Sequence, residues 1–204
     1  METPNFYDNL SLSLFELRHL IEQGAQNRRS AAHHPVVANV DGAGAPQQRV
    51  MILRNFDWAS RQLRFHTDSR SDKIRQYSTN PETSVLIYDE SAKVQIRLSG
   101  LAHVDDGQIT NQAWAESTPF ARRCYLAEHA PGIVADKPTS GLPKWIEGKQ
   151  PDEEQLIPAR TNFTALLVTI QTIEWLYLAN AGHRRAKWHW NESMQDWSGN
   201  WLVP

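Results

Sequence analysis

Apolar residues recur along this chain at two different periods, and the change from one to the other divides it. Around the stretch from Ser11 to Gln23, Leu10, Leu14, Leu17 and Ile21 fall at helical spacing, and Phe15 and Leu20 widen the stripe. That pattern predicts an amphipathic helix at about 8–25. Asp8 or Ser11 can cap its start, and Gly24 can end it. Beyond it the alternation has a period of two, the mark of strands with one buried face. In Lys93–Gly100, Val94, Ile96 and Leu98 point one way while Lys93, Gln95, Arg97 and Ser99 point the other. In Leu63–Asp68, Leu63, Phe65 and Thr67 oppose Arg64, His66 and Asp68.

Turn residues separate these runs. His34–Val40, the turn Asp41-Gly42-Ala43-Gly44 and Gln48–Phe56 read as a β-hairpin. Leu63–Thr67, Thr83–Tyr88 and Lys93–Val104 follow as strands, the last two joined by a turn at Asp89–Ala92. A short helix after Ser69-Arg70-Ser71-Asp72-Lys73 stops at Asn80-Pro81, because the residue before a proline disfavours helix. A second helical region runs from Asp106 to about Glu128, broken near Pro119. Positions at about 130–160 carry five of the eleven prolines and read as a long loop or lid. Strands resume at Phe163–Ile170, Glu174–Leu178, Arg185–Trp190 and Asp196–Leu202, with a turn at Asn180–Gly182. Many short strands with few helices predict a mainly β architecture, a barrel with flanking helices forming one domain over 1–204.

Composition narrows the class. A chain of 204 residues can bury about 70% of its unfolded surface, so it needs no disulfide or metal staple. With 40% hydrophobic and 22% charged residues it is a folded protein. Its net charge of −2 argues against nucleic acid or a membrane as partner, since either calls for a basic excess. No apolar run approaches the roughly 20 residues of a membrane helix. The start METPNFYDNL has no basic segment leading into an apolar run, so no signal peptide is read and the chain is expected in the cytoplasm. Five of the eight tryptophans lie after position 170, where core and interface packing accounts for most indoles. His33-His34 reads as strand surface, since neighbours on a strand face opposite ways, and no metal site is expected. The lone Cys124 reads as a buried thiol, with Arg122 and Arg123 beside it able to lower its pKa.

One stretch stands out by charge. From Arg49 to Arg75 there are seven bases (Arg49, Arg54, Arg61, Arg64, Arg70, Lys73 and Arg75) against Asp57, Asp68 and Asp72. The cluster flanks a strand-to-helix junction, where free backbone amides, serine hydroxyls and a lysine suit a phosphate. The same residues also fit a solvated helix start capped by Ser69 or Ser71.

Taken in order, Arg49-Val50-Met51-Ile52-Leu53-Arg54, Phe65-His66-Thr67-Asp68, Ser71-Asp72-Lys73, Asn80-Pro81 and Gln95-Ile96-Arg97-Leu98-Ser99-Gly100 resemble the successive motifs of the pyridoxamine 5′-phosphate oxidase family. Ile173-Glu174-Trp175, Gly182-His183-Arg184-Arg185 and Trp201-Leu202-Val203-Pro204 are similar to its C-terminal signature. The resemblance implies an FMN-binding split β-barrel of antiparallel Greek-key type, a homodimer with FMN at the interface. It implies that Arg49 and Lys73 hold the FMN phosphate, with Ser71 adding a donor. Val50, Met51, Ile52, Leu53 and Arg54 would run along the ribityl chain and isoalloxazine, His66 and Thr67 would line the next strand, and Gln95 would reach the ring from a neighbouring strand or subunit. Arg184 and Arg185 are the candidate substrate residues; no catalytic side chain is singled out, because the flavin carries the hydride chemistry.

The sequence departs from the family pattern at two places. A basic position of the phosphate site is Asp72 here, with Arg70 as a possible replacement for the charge. The substrate signature reads Arg184-Arg185-Ala186-Lys187-Trp188, and Arg122, Arg123 and Tyr125 lie where the family grips the substrate phosphate. The expected function is an FMN-dependent oxidoreductase acting on an anionic small molecule. The alternative is a flavin carrier or sensor without turnover.

Overall fold

The computed structural model describes residues 3–204. Helix α1 spans Leu10–Gln26. Its N-cap is Asn9, whose side chain accepts from the Leu12 amide at 3.0 Å, between the two caps read in the sequence, Asp8 and Ser11. Gly24 does not end the helix. A Cβ there would lie 2.6 Å from Ala32, so the missing side chain admits the next turn of chain. The Gly24 carbonyl accepts from His33 Nδ1 at 2.7 Å. His33 is therefore buried in a 3-10 turn, Ala31–His33, and is not strand surface. Leu17 and Ile21 bury completely.

Nine strands follow: β1 Val36–Val40, β2 Pro46–Val50, β3 Leu53–Asp57, β4 Gln62–Asp68, β5 Glu82–Asp89, β6 Val94–Asp105, β7 Phe163–Tyr177, β8 Arg184–Asn191 and β9 Asp196–Leu202. All pair antiparallel, in the order β2-β1-β5-β6-β7-β4-β3, with β8 added to β7 and β9 to β8. The run expected as one strand at 48–56 is broken at Met51–Ile52. There the chain leaves β1, with the Met51 amide still bonded to the Pro35 carbonyl at 3.0 Å, and pairs next with β4. Consecutive strands thus sit at the two ends of the hydrogen-bonded order, and the sheet curls into a mainly β split barrel. The reverse holds for β7, expected as two strands and found as one. A bulge in β7 at Gln171, opposite the Ser99–Gly100 step of β6, takes up one extra residue, so β7 stays continuous while its partners change.

The alternation is as the sequence predicts. Val94, Ile96, Leu98, Leu63 and Phe65 face inward and are buried, together with Val37, Val85, Ile173, Trp175 and Trp188. Truncating one such aliphatic side chain to alanine costs about 2–5 kcal/mol. Helix α2, Asp72–Thr79, ends at Asn80 as expected. The region after β6 forms α3, Gln108–Glu116, and the single turn α4, Pro119–Arg122, followed by 3-10 turns at Arg123–Leu126 and Ile157–Asn162. The 130–160 region is a long irregular segment, pinned by a smaller apolar cluster in which Ile146 and Leu156 meet Tyr125 and Phe163. No helix of the described residues is long and apolar enough to cross a membrane.

Candidate functional site

Two cations face each other between the β2 edge and α2. Arg49 pairs across the sheet with Val37, in line with Val85 and Leu98, so its side chain leaves the sheet on the core-facing side. Its guanidinium donates to the Asn39 side-chain oxygen and, at 3.4 Å, to the Val37 carbonyl. Asn39 in turn donates to Gln76 Oε1 at 2.8 Å, tying β2 and β1 to α2. From α2, Lys73 Nζ donates to Thr67 Oγ1 at 2.9 Å and Ser71 Oγ at 3.0 Å. Ser71 Oγ donates onward to the Asp68 carbonyl at 2.7 Å.

Neither cation has a carboxylate partner among the described residues. Burial pushes the Lys73 pKa down, and the Arg49 charge nearby adds to the push. Two desolvated like charges held by neutral oxygens form a cradle whose electrostatics favour an anion. Residues 71–73 open α2, so its free amides point to the same place.

The junction's other charges are spent elsewhere. Arg70 grips the Asp68 carboxylate at 2.7 and 3.0 Å and the Ala127 carbonyl at 3.0 Å, so it does not replace the charge missing at Asp72. Asp72 is exposed and pairs with Arg75. Among the flanking residues, Met51 and Leu53 point into the core, whereas Val50 and Ile52 stay exposed at 61% and 37%. The chain thus offers backbone and two aliphatic side chains along that edge.

His66 and Thr67 are neighbours on β4 and face opposite sides. Thr67 joins the cradle; His66 lies on the outer face against Phe163, ring centres 4.9 Å apart. Burial, then the Arg54 and Arg64 charges, push the His66 pKa down to about 3, so the ring is neutral at physiological pH. Arg54 sits in the bulge between Leu53 and Asn55 and borders the same space as His66.

The remaining candidates lie apart from the cradle. Gln95 is on the outer face, in one cross-strand row with Tyr88, Leu176 and Arg185. Arg185 pairs with Glu174 at 2.8 Å, and Arg184 pairs with Asp8 at 2.7 Å while its guanidinium lies 3.9 Å from the Tyr7 ring centre. Both arginines are already neutralised within the chain. Arg122 is buried in a forked pair with Glu153 at 2.6 and 2.9 Å, and Tyr125 is buried. Cys124 is exposed, contrary to the expected burial, and desolvation raises its pKa rather than the adjacent arginines lowering it. No group of three or more His, Cys, Asp or Glu among the described residues could hold a metal.

Sequence reading missed Asn39 and Gln76, which aim Arg49, and Arg28, which with Arg64 of the basic cluster lines the space beside Arg54 and His66. Asn39 had a usable signal: it occupies an inward position of Val-Val-Ala-Asn-Val where an apolar residue is the rule. Arg28 lies in a turn with no periodicity to read.

Comparison with known proteins agrees with this fold. The sequence profile described as pyridoxamine 5′-phosphate oxidase, FMN-binding domain, matches residues 15–106. A pyridoxine/pyridoxamine 5′-phosphate oxidase of Edwardsiella ictaluri is 30% identical over 166 residues, covering 80% of this chain and 73% of that protein. One from Serratia proteamaculans is 25% identical over 195 residues, covering 95% and 86%. Among solved structures, a pyridoxamine 5′-phosphate oxidase-related, FMN-binding protein from Nostoc punctiforme aligns with a TM-score of 0.73 at 25% identity, over 96% of this chain and 99% of that one. PhzG from Burkholderia lata shares the fold, with a TM-score of 0.69 at 18% identity over 100% and 98%. On fold, ordered motifs and relatives together, the chain belongs to the pyridoxamine 5′-phosphate oxidase family.

Proposed function

We propose that the chain is an FMN-dependent oxidoreductase that acts on an anionic small molecule as a homodimer. The observation that carries this reading is the Arg49–Lys73 cradle, two cations aimed together from different elements and bonded only to neutral oxygens. A phosphate monoester brings about −1.5 to −2 charges, which matches two fixed bases and the amides at the start of α2. FAD would bring a pyrophosphate instead of a terminal ester, and nothing in the cradle extends to a second phosphate.

In this reading Arg49, Lys73 and Ser71 bind the FMN phosphate, and Thr67 holds Lys73 in place. Val50 to Arg54 supply backbone donors and acceptors along the flavin, with Val50 and Ile52 covering its apolar edge. When bound, FMN supplies the hydride chemistry. The protein's part is to orient, to exclude water and to keep His66 uncharged beside the site. Gln95 lies on the outer face, away from its own cradle, which supports its reaching a flavin across a dimer interface.

The purified protein should bind FMN and turn yellow. Arg49→Ala and Lys73→Ala should each weaken FMN binding by about 1.5–3 kcal/mol, the cost of losing a charge-assisted bond, read by fluorescence titration of FMN. A colourless protein indifferent to added FMN, or unchanged affinity in both variants, would overturn the reading. Flavin binding with no oxidation of any acid tested under oxygen would mark a carrier or sensor instead.

A further inference from the structure

A second cationic space lies on the outer face of β4. Arg64 and His66 project into it from the strand, Arg54 enters from the β3 bulge, and Glu116 to Ala121 cover it from the side of α3 and α4. The chamber holds about 210 Å³ and opens into a cleft of about 820 Å³. Arg28, Arg54, Thr118 and Ala121 line both, so the two are continuous.

Three of the buried polar side-chain atoms without a partner among the described residues belong to its walls: Arg54 Nε, Arg64 Nε and His66 Nε2. Four guanidiniums, those of Arg28, Arg54, Arg64 and Arg123, border the combined space against one carboxylate, Glu116. That carboxylate is engaged by Arg64 at 3.2 Å. The cleft's outer walls are apolar: Ile52, Pro119, Phe120 and Leu142, with the Arg123 guanidinium 4.4 Å from the Phe120 ring centre.

We infer that this cleft takes a flat organic acid carrying no ammonium group, its acid head held among Arg28, Arg54 and Arg64, with Arg28 setting that preference. Calling the acid a substrate rests on the flavin reading above; that the cleft binds it does not. Guanidinium forks match a planar oxyanion, and the contact strengthens away from water. An ammonium in the same space meets net repulsion and finds its one possible counter-charge already bonded. The apolar walls suit a ring or conjugated body behind the head. Arg28 is exposed in the turn between α1 and β1, so replacing it leaves the core untouched.

The test is calorimetric titration of the full chain, supplied with FMN, using 4-(hydroxymethyl)benzoate and 4-(aminomethyl)benzoate. These probes share ring and carboxylate and differ only in the ammonium. The hydroxymethyl acid should bind at least about tenfold tighter, a difference of about 1.4 kcal/mol. Arg28→Ala should weaken it about tenfold and narrow the gap, and Arg28→Glu should close or reverse it. Binding of neither acid, equal binding of both, or an Arg28→Ala protein that matches the parent overturns the inference. FMN titrated separately into the parent and Arg28→Ala should bind both alike. A parent that ignores FMN yet discriminates the two acids removes the flavin reading alone.

Discussion

Arg49 shows how a single side chain acquires its direction from a neighbour of no obvious importance. It leaves β2 on the core-facing side, and the Asn39–Gln76 link holds it toward α2. Gly199 shows the opposite, a residue needed for what it lacks. A Cβ there would sit 2.1 Å from Trp188 Cδ1, and Trp188 is buried with nowhere to move. Gly199→Ala should therefore destabilise the fold by about 1–3 kcal/mol, the usual cost of overpacking, measured by denaturant unfolding. His66 makes stability depend on pH. The unfolded chain protonates this ring near 6.5, but the folded one resists until about 3, through burial and then the Arg54 and Arg64 charges. In that interval the unfolded state binds more protons, so stability falls as the pH drops from about 6.5 toward 3. His66→Phe should flatten that part of the fall in thermal melts at neutral and mildly acid pH. An unchanged slope would show that other groups govern it.

At the scale of elements, what the sequence revealed was whatever periodicity encodes. The inward and outward faces of β4 and β6, the α2 stop at Asn80 and the turn at 89–92 follow from local pattern alone. The break at Met51–Ile52 does not, because the alternation runs smoothly through it and only the change of partner strand makes it a boundary. The unbroken β7 was hidden for the converse reason, its extra residue, Gln171, forming a bulge that does not interrupt the pairing with β6. The cradle's members were legible because the motifs are ordered along the chain. Arg28, Arg64 and Glu116 come together only through the packing of α3 and α4 over β4. The long segment after α4 was readable as irregular, but not as tethered. Its tether is Arg122, whose side chain is 8% exposed and forked onto Glu153. Glu153→Ala leaves that guanidinium without a counter-charge, at about 1–3 kcal/mol. Limited proteolysis should then cut within 127–156 faster than in the parent, and equal cutting rates would show the pair to be dispensable.

The whole molecule presents one outer face that a lone copy covers poorly. Val50 on β2 and Leu86 and Tyr88 on β5, at one end of the sheet, are 61%, 38% and 53% exposed. Apolar exposure of this kind favours a self-complementary contact about a two-fold axis, in line with the proposed homodimer. Light scattering on the eluted protein should give twice the chain mass, and Tyr88→Arg, which sets like charges against each other, should shift it toward a single chain. A parent that elutes as one chain would remove that part of the proposal.

Strand β4 separates two chemistries by one peptide unit, with Thr67 steadying a lysine on one side and His66 facing guanidiniums on the other. Adding or deleting one residue there would turn hydroxyl and imidazole to each other's compartments and expose Leu63 and Phe65 as well. Change in this segment is thus restricted to replacement of side chains in place, and relatives that handle different compounds should differ here in residue identity while keeping the strand's length.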